Sequence, residues 1–219
     1  MEITVLKNVL IKNNAIGNDN RSLFNKNKIF VANIISSPGA GKTTLLESTL
    51  AYLTSRYRVA VIEGDLYTSR DAKRLQPFNI PIVQINTEGG CHLDARMIHG
   101  AVQSLPLDNL DIILIENVGN LVCPASFDLG EDLRILMYAV TEGTDKPQKY
   151  ANIFAGAEVI LVNKVDLADL CHIDLSELVD EVRSVNEKAA IFPISALKQE
   201  TLVEWQQFFE EKVKAKKNE

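Results

Sequence analysis

The stretch SSPGAGKTTLL (36–46) decides how the whole chain is read. It follows an apolar, β-branched run, IFVANII (29–35), and opens an amphipathic segment. It fits the G-x-x-x-x-G-K-[ST] pattern, with Ser36 where the first glycine usually stands. The turn Pro38-Gly39-Ala40-Gly41 is small and flexible, so its backbone N–H groups can point inward around phosphate oxygens. Lys42 offers a point charge for β- and γ-phosphates. Thr43 offers a hydroxyl for Mg²⁺, and Thr44 extends the nucleotide-contacting run. The helix starting near Lys42 adds its positive dipole end. A plain Gly-rich turn is the competing reading, and an intact GKTT at a strand–helix junction is hard to reconcile with it.

Outward from this loop, five more short apolar runs recur: RVAVIE (58–63), PIVQIN (81–86), DIILIE (111–116), EVILVN (158–163) and AIFPIS (190–195). They are nearly continuous in apolar residues, as strands covered on both faces are. Helical spacing joins Leu175, Leu178, Val179, Val182 and Val185, and again Leu202, Trp205, Phe209 and Val213. Alternating strands and helices predict an α/β fold: a doubly wound, mostly parallel sheet with helices on both faces, of the phosphate-loop NTPase type. Ligands in such sheets bind at the carboxyl ends of the strands. Residues 1–27 differ: they are rich in Asn and Lys, and NNAIGNDN (13–20) has little apolar period. They read as an N-terminal arm, with 1–12 a short arm or helix and 13–27 a mobile linker. Residues 28–219 then form the nucleotide domain.

The chain has 219 residues, with 23 Lys+Arg against 29 Asp+Glu and a net charge of −6. That acidity argues against a general nucleic-acid binder. No apolar run approaches the ~18 residues of a membrane span. Glu2 and the lack of a basic n-region argue against a secretion signal. Three scattered cysteines suit a reduced, cytoplasmic setting, with any special cysteine acting as ligand or nucleophile.

NKVD (163–166) begins at the last residue of the run EVILVN. The Asp166 carboxylate can accept two N–H bonds from guanine, and adenine lacks both donors. Asn163 can bond the base edge or brace the neighbouring loop, and the Lys164 stem can lie across the base. Ser195-Ala196, in ISAL (194–197), resembles the companion loop whose backbone N–H meets guanine O6. EGD (63–65) and ENVG (116–119) end two other runs. Asp65 and Glu116 can hold Mg²⁺ there, and the Gly119 amide can bond a γ-phosphate. Asp71 is a second-choice partner for Mg²⁺ or attacking water. The competing reading makes Asp65 a helix cap and Glu116 a strand-end ion pair.

Cys91 and His92 follow the third run, and Cys123 lies four residues beyond Gly119. Both loops leave the carboxyl edge of the predicted sheet. Two thiolates and an imidazole suit Zn²⁺ or Ni²⁺. Small buried cysteines and a capping histidine are the alternative. Cys171-His172 lacks a comparable distal partner, and His99 reads as a surface residue.

SSPGAGKTTLL, GDLYTSRDAKRL, INTEGGCHLDARMI, IENVGNLVCPASFDLGE, NKVDL and ISAL occur in this order. Together they resemble the HypB family, SIMIBI-class nickel-incorporation GTPases of NiFe-hydrogenase maturation, over about residues 28–216. The resemblance implies a homodimeric, cytoplasmic GTPase using GTP and Mg²⁺. It implies a subunit interface that binds Ni²⁺ or Zn²⁺ through Cys91, His92 and Cys123. It further implies exchange of nickel with a HypA-like accessory protein and delivery to the hydrogenase large-subunit precursor. Some family members carry an N-terminal Cys-rich or His-rich nickel motif, and this chain has no Cys or His before Cys91. The urease-assembly GTPases are cousins whose metal signature is Cys-Pro-His, whereas here Cys123-Pro124 is followed by Ala125. A small-molecule kinase and a signalling GTPase without metal are the rival classes. NKVD counts against the first, and metal content separates the second.

Overall fold

A computed structural model describes residues 5–67 and 70–218, the side chains of 5–8 excepted. Along the chain run α1 (Val5–Lys26), β1 (Phe30–Ser36), α2 (Lys42–Leu53), β2 (Val59–Asp65), α3 (Arg70–Leu75), β3 (Ile82–Asn86) and α4 (Ala95–Val102). Then come β4 (Ile112–Glu116), β5 (Leu133–Ala139), α5 (Lys146–Lys149), α6 (Ala151–Ala155), β6 (Val159–Asn163), α7 (Leu175–Val185), β7 (Ala190–Pro193) and α8 (Val203–Asn218). The strands form one sheet in the order β3-β2-β4-β1-β5-β6-β7, and each pairing is parallel. The doubly wound α/β expectation therefore holds.

Every residue of β1 is buried, because helices cover both of its faces. Phe30, Ala32 and Ile34 join Leu45, Leu46 and Leu50 of α2, with Trp205 and Phe209 of α8. Val31 points to the opposite side, where Phe24 of α1 and Ile98 of α4 pack. Ile35 lies on that side too, against Phe154 of α6 and Leu178 of α7. Among the described residues no helix is long and apolar enough to cross a membrane.

Two expectations fail. The sheet has a seventh strand, β5, directly beside β1. Its sequence LRILMYA holds Arg134 and the unbranched Leu and Met, which favour helix as readily as strand. Neighbouring strands on both sides decide the matter. Residues 13–26, expected in a mobile linker, belong to α1. Its buried stripe is Asn13, Gly17, Asn20 and Phe24, spaced as one helical face. Amides and a glycine carry no hydrophobic period, so the stripe could not be seen from apolar residues. Residues 1–4 lie outside the described residues.

Trp205 is 1% exposed and packs edge-on against Phe209 at 5.3 Å. Trp205→Ala is expected to cost about 3–5 kcal/mol of stability, read from the denaturant midpoint.

Candidate nucleotide and metal site

β1 runs into a loop whose backbone Gly39 (φ 76°) and Gly41 (φ 107°) bend into the left-handed region. A Cβ on Gly41 would stand 2.7 Å from Asn163 Nδ2, so both conformation and space demand glycine. The loop opens onto a cavity of about 450 Å³ at the carboxyl ends of β1, β2 and β4. Lys42, Thr43, Asp65, Asp71, Glu116 and Gly119 all line it. Lys42 Nζ donates to Ser36 Oγ at 2.9 Å. Burial pulls the Lys42 ammonium below its ordinary pKa, and Glu116 opposes that shift.

Thr43 Oγ1 donates to Glu116 Oε1 at 2.9 Å, while Glu116 Oε2 is buried without a partner. Glu116 is raised to about 7 by desolvation, with Lys42 countering. Glu63 stands beside it in register on β2, is 2% exposed, and also buries an unpartnered Oε2. Desolvation, then the charges of Glu116 and Asp65, raise it to about 8. Oxygens of Glu63, Asp65 and Asp71 fall within 4.8 Å of one another. Two orphaned buried carboxylate oxygens beside a threonine hydroxyl form a donor set that suits a hard divalent cation such as Mg²⁺. Glu63 was not among the expected ligands. The alternation of β2 could have found it, because residues two apart share a face and Asp65 was already singled out. Arg74 also lines the cavity and bonds Glu47 and the Thr44 hydroxyl.

A second, smaller cavity of about 190 Å³ brings Asn163, Lys164 and Asp166 together with Ser195 and Ala196. Asn163 braces this corner. Its Nδ2 donates to Ala40 O at 2.7 Å and its Oδ1 accepts from Ala196 N at 2.9 Å. Of the two roles open to Asn163, the loop-supporting one is occupied. Ser195 and Ala196 line the cavity beside Asp166, with the Ala196 amide held by the Asn163 side chain. Lys164 Nζ donates to Gly39 O at 2.8 Å. Asp166 is exposed at the cavity rim.

Beyond the ends of β3 and β4, Cys91 Sγ donates to Cys123 Sγ at 2.9 Å and lies 3.6 Å from His92 Nδ1. All three ligating atoms fall within 4.8 Å, and each residue is partly exposed. The His92 ring packs at a tilt of 35° against Phe127, with ring centroids 4.0 Å apart. Burial lowers its pKa, which favours the neutral imidazole that a metal needs. The Cys91 thiol is raised, chiefly by its bond with Cys123. This donor set suits a soft or borderline cation. His99 is exposed and meets Asn20, and Cys171-His172 joins no metal-competent cluster among the described residues.

Asn117 and Asn120, neither singled out from the sequence, tie the two regions together. Asn117 Oδ1 accepts from Leu93 N at 3.1 Å, and Asn120 Nδ2 donates to Cys91 O at 3.1 Å. The loop after β4 therefore touches both the phosphate-loop cavity and the cysteine cluster.

The family model for the CobW/HypB/UreG nucleotide-binding domain matches residues 30–193. Hydrogenase maturation factor HypB of Escherichia coli (strain K12) is 48% identical over 202 residues, covering 92% of this chain and 70% of that protein. The chain belongs to the HypB family. HypB from Helicobacter pylori, solved in complex with nickel, superposes with a TM-score of 0.88 at 36% identity, over 93% of this chain and 96% of that one. HypB from Archaeoglobus fulgidus gives 0.87 at 33% identity, over 93% and 99%. The seven-stranded parallel sheet is thus the HypB nucleotide-binding fold.

Because the folded pKa of Glu63 stands near 8 against an ordinary 4.5, folding takes up a proton there. The associated stability is present below the ordinary value and is lost as pH rises through 8. Glu63→Gln removes that dependence. In the ligand-free chain the Tm difference should shift in favour of the variant between about pH 5 and about pH 9. A difference that stays flat across this range contradicts the buried-carboxyl picture.

Proposed function

We propose that this chain is a GTP-hydrolysing nickel metallochaperone for NiFe-hydrogenase maturation. It couples nucleotide state and dimerisation to binding and transfer of nickel or zinc. The observation that carries the reading is the convergence of Cys91, His92 and Cys123 on loops joined to the phosphate-loop cavity by Asn117 and Asn120. A signalling GTPase with buried cysteines has no need of that convergence.

In this reading the turn 38–41 surrounds the phosphates with N–H groups, and Lys42 neutralises the β/γ oxygens. Thr43, Asp65 and Glu116, with Glu63 beside them, hold Mg²⁺. That ion supplies charge neutralisation for phosphoryl transfer. Asp65 or Asp71 orients the water whose oxygen bonds to the γ-phosphorus as the bridging oxygen departs with GDP. Gly119 lies against Pro38, and a Cβ there would stand 3.1 Å from the Pro38 backbone. The γ-phosphate therefore bears on the loop that ends in Cys123. Movement of this loop shifts one thiol relative to Cys91 and His92, and a second subunit completes the metal's surroundings. The cargo passes between a HypA-like accessory protein and the hydrogenase large-subunit precursor, in the cytoplasm. Coupling of this kind is reciprocal, so bound metal alters the affinity for nucleotide by the same factor.

Two measurements test the reading. Asp166→Ala should weaken GTP binding by on the order of 100-fold, since two bonds to a charged acceptor are lost, and leave ATP binding little changed. Nickel titration with GDP and with a non-hydrolysable GTP analogue, followed alongside oligomeric state, tests the metal arm. Cys123→Ala should lose more affinity than the ~10–100-fold typical of changes around a metal's ligands. Wild-type nickel affinity in that variant, in both nucleotide states, would sink the metallochaperone reading.

A further inference from the structure

The arm that sequence patterning left unexplained grips both loops that carry the metal-ligand candidates. Asn13 Oδ1 accepts from Ala95 N at 2.8 Å, and Asn20 Nδ2 donates to Ala95 O at 2.8 Å. Ala95 lies three residues beyond His92. The same two side chains reach the other loop. Asn13 Nδ2 donates to Asp128 O at 2.8 Å, and Asn20 Nδ2 donates to Leu129 O at 3.1 Å. Arg21 adds a two-pronged bond to the Asp128 carboxylate, at 2.7 and 2.9 Å. Asp128 lies five residues beyond Cys123.

The contact is close as well as polar. A Cβ on Gly17 would stand 2.9 Å from Asp128 O, and one on Gly130 would stand 2.6 Å from Gly17 O. Asn13 is 6% exposed and Asn20 0%. A helix needing only to dock would do so through apolar residues, because buried amides are costly unless every bond is made. Amide bonds are directional, so this stripe specifies where the two loops stand. A second chain of bonds returns on the far side. Leu129 N donates to Glu131, Glu131 meets Asn33, Asn33 meets Asn117, and Asn117 accepts from Leu93 N. The helix closes a polar ring through both metal-bearing loops.

We propose that α1 is a clamp on the metal site, with Asn13 and Asn20 as positioning residues that hold the Cys91–His92 loop and the Cys123 loop at ligating distance. The inference rests on the metal-binding reading above. Loops already held in place owe less ordering entropy when the ion arrives, so affinity rises through preorganisation. Loss of the clamp leaves the three ligands present but separable.

The test is Ni²⁺ titration of the full chain, reading affinity and the thiolate-to-nickel charge-transfer band, with GDP affinity and helix content measured on the same samples. Asn13→Ala and Asn20→Ala should each weaken Ni²⁺ binding about tenfold and alter the band, as changes around a metal's ligands do. GDP affinity should stay within about twofold, because neither Asn13 nor Asn20 lines the phosphate cavity. Ser22→Ala, on the exposed face of α1, should match wild type. If the Asn variants do not fold, Arg21→Ala is the fallback. It removes a half-exposed pair and should weaken Ni²⁺ binding severalfold. Wild-type nickel affinity in the folded Asn variants, or in Arg21→Ala where that fallback is used, overturns the clamp. So does a parallel loss of nickel and GDP affinity. If wild-type nickel binding is indifferent to Cys123→Ala, the metal reading itself falls and the clamp with it. Cys123-dependent binding with unaffected clamp variants removes the clamp alone.

Discussion

Glu116 sits at the buried end of β4, one oxygen held by Thr43 and the other facing no partner. A carboxylate in that position must stay protonated or meet a cation. Glu63 poses the same demand on the next strand. The parallel register places both at one height of the sheet, beside the loop that presents Lys42. The arrangement is poorly satisfied by the chain alone and suits bound phosphate with a divalent cation. The loop after β4, and through it the cysteine cluster, hangs from this point.

The connection between the two candidate centres is made of amides rather than charges. Asn117 is 1% exposed and bonds β1, its own loop and Leu93, the residue just after His92. Charged groups in the same place would titrate or demand counter-ions. Amides give direction at no net charge. The clamp by α1 belongs to the same system, entered from the opposite side.

Some of this was legible residue by residue. Gly41, Lys42 and Thr43 could be placed because a loop that surrounds phosphate needs those types at those intervals. Cys91, His92 and Cys123 were placed at one edge by topology alone, since each follows a strand of a parallel sheet. β5 was missed because Leu, Met and Arg134 have no strong local preference, and the sheet on either side supplies the deciding contacts. The sequence leaves Asn163 two roles, and its bonds to Ala40 and Ala196 fill the loop-bracing one. Glu63 is legible beside Asp65, because strand alternation sends both to the same face.

The alternation of strand and helix, the phosphate loop and the set of metal-competent side chains can all be read from the chain before it folds. These depend on local periodicity and on residue chemistry, both written directly in the chain. That residues 13–26 form a docked helix depends on the folded chain. Its buried face is Asn13, Gly17 and Asn20 with a single Phe24, and amides favour burial only when distant backbone groups meet them. Hydrophobic patterning reports what avoids water. It is silent about polar atoms whose partners lie 75 to 115 residues away.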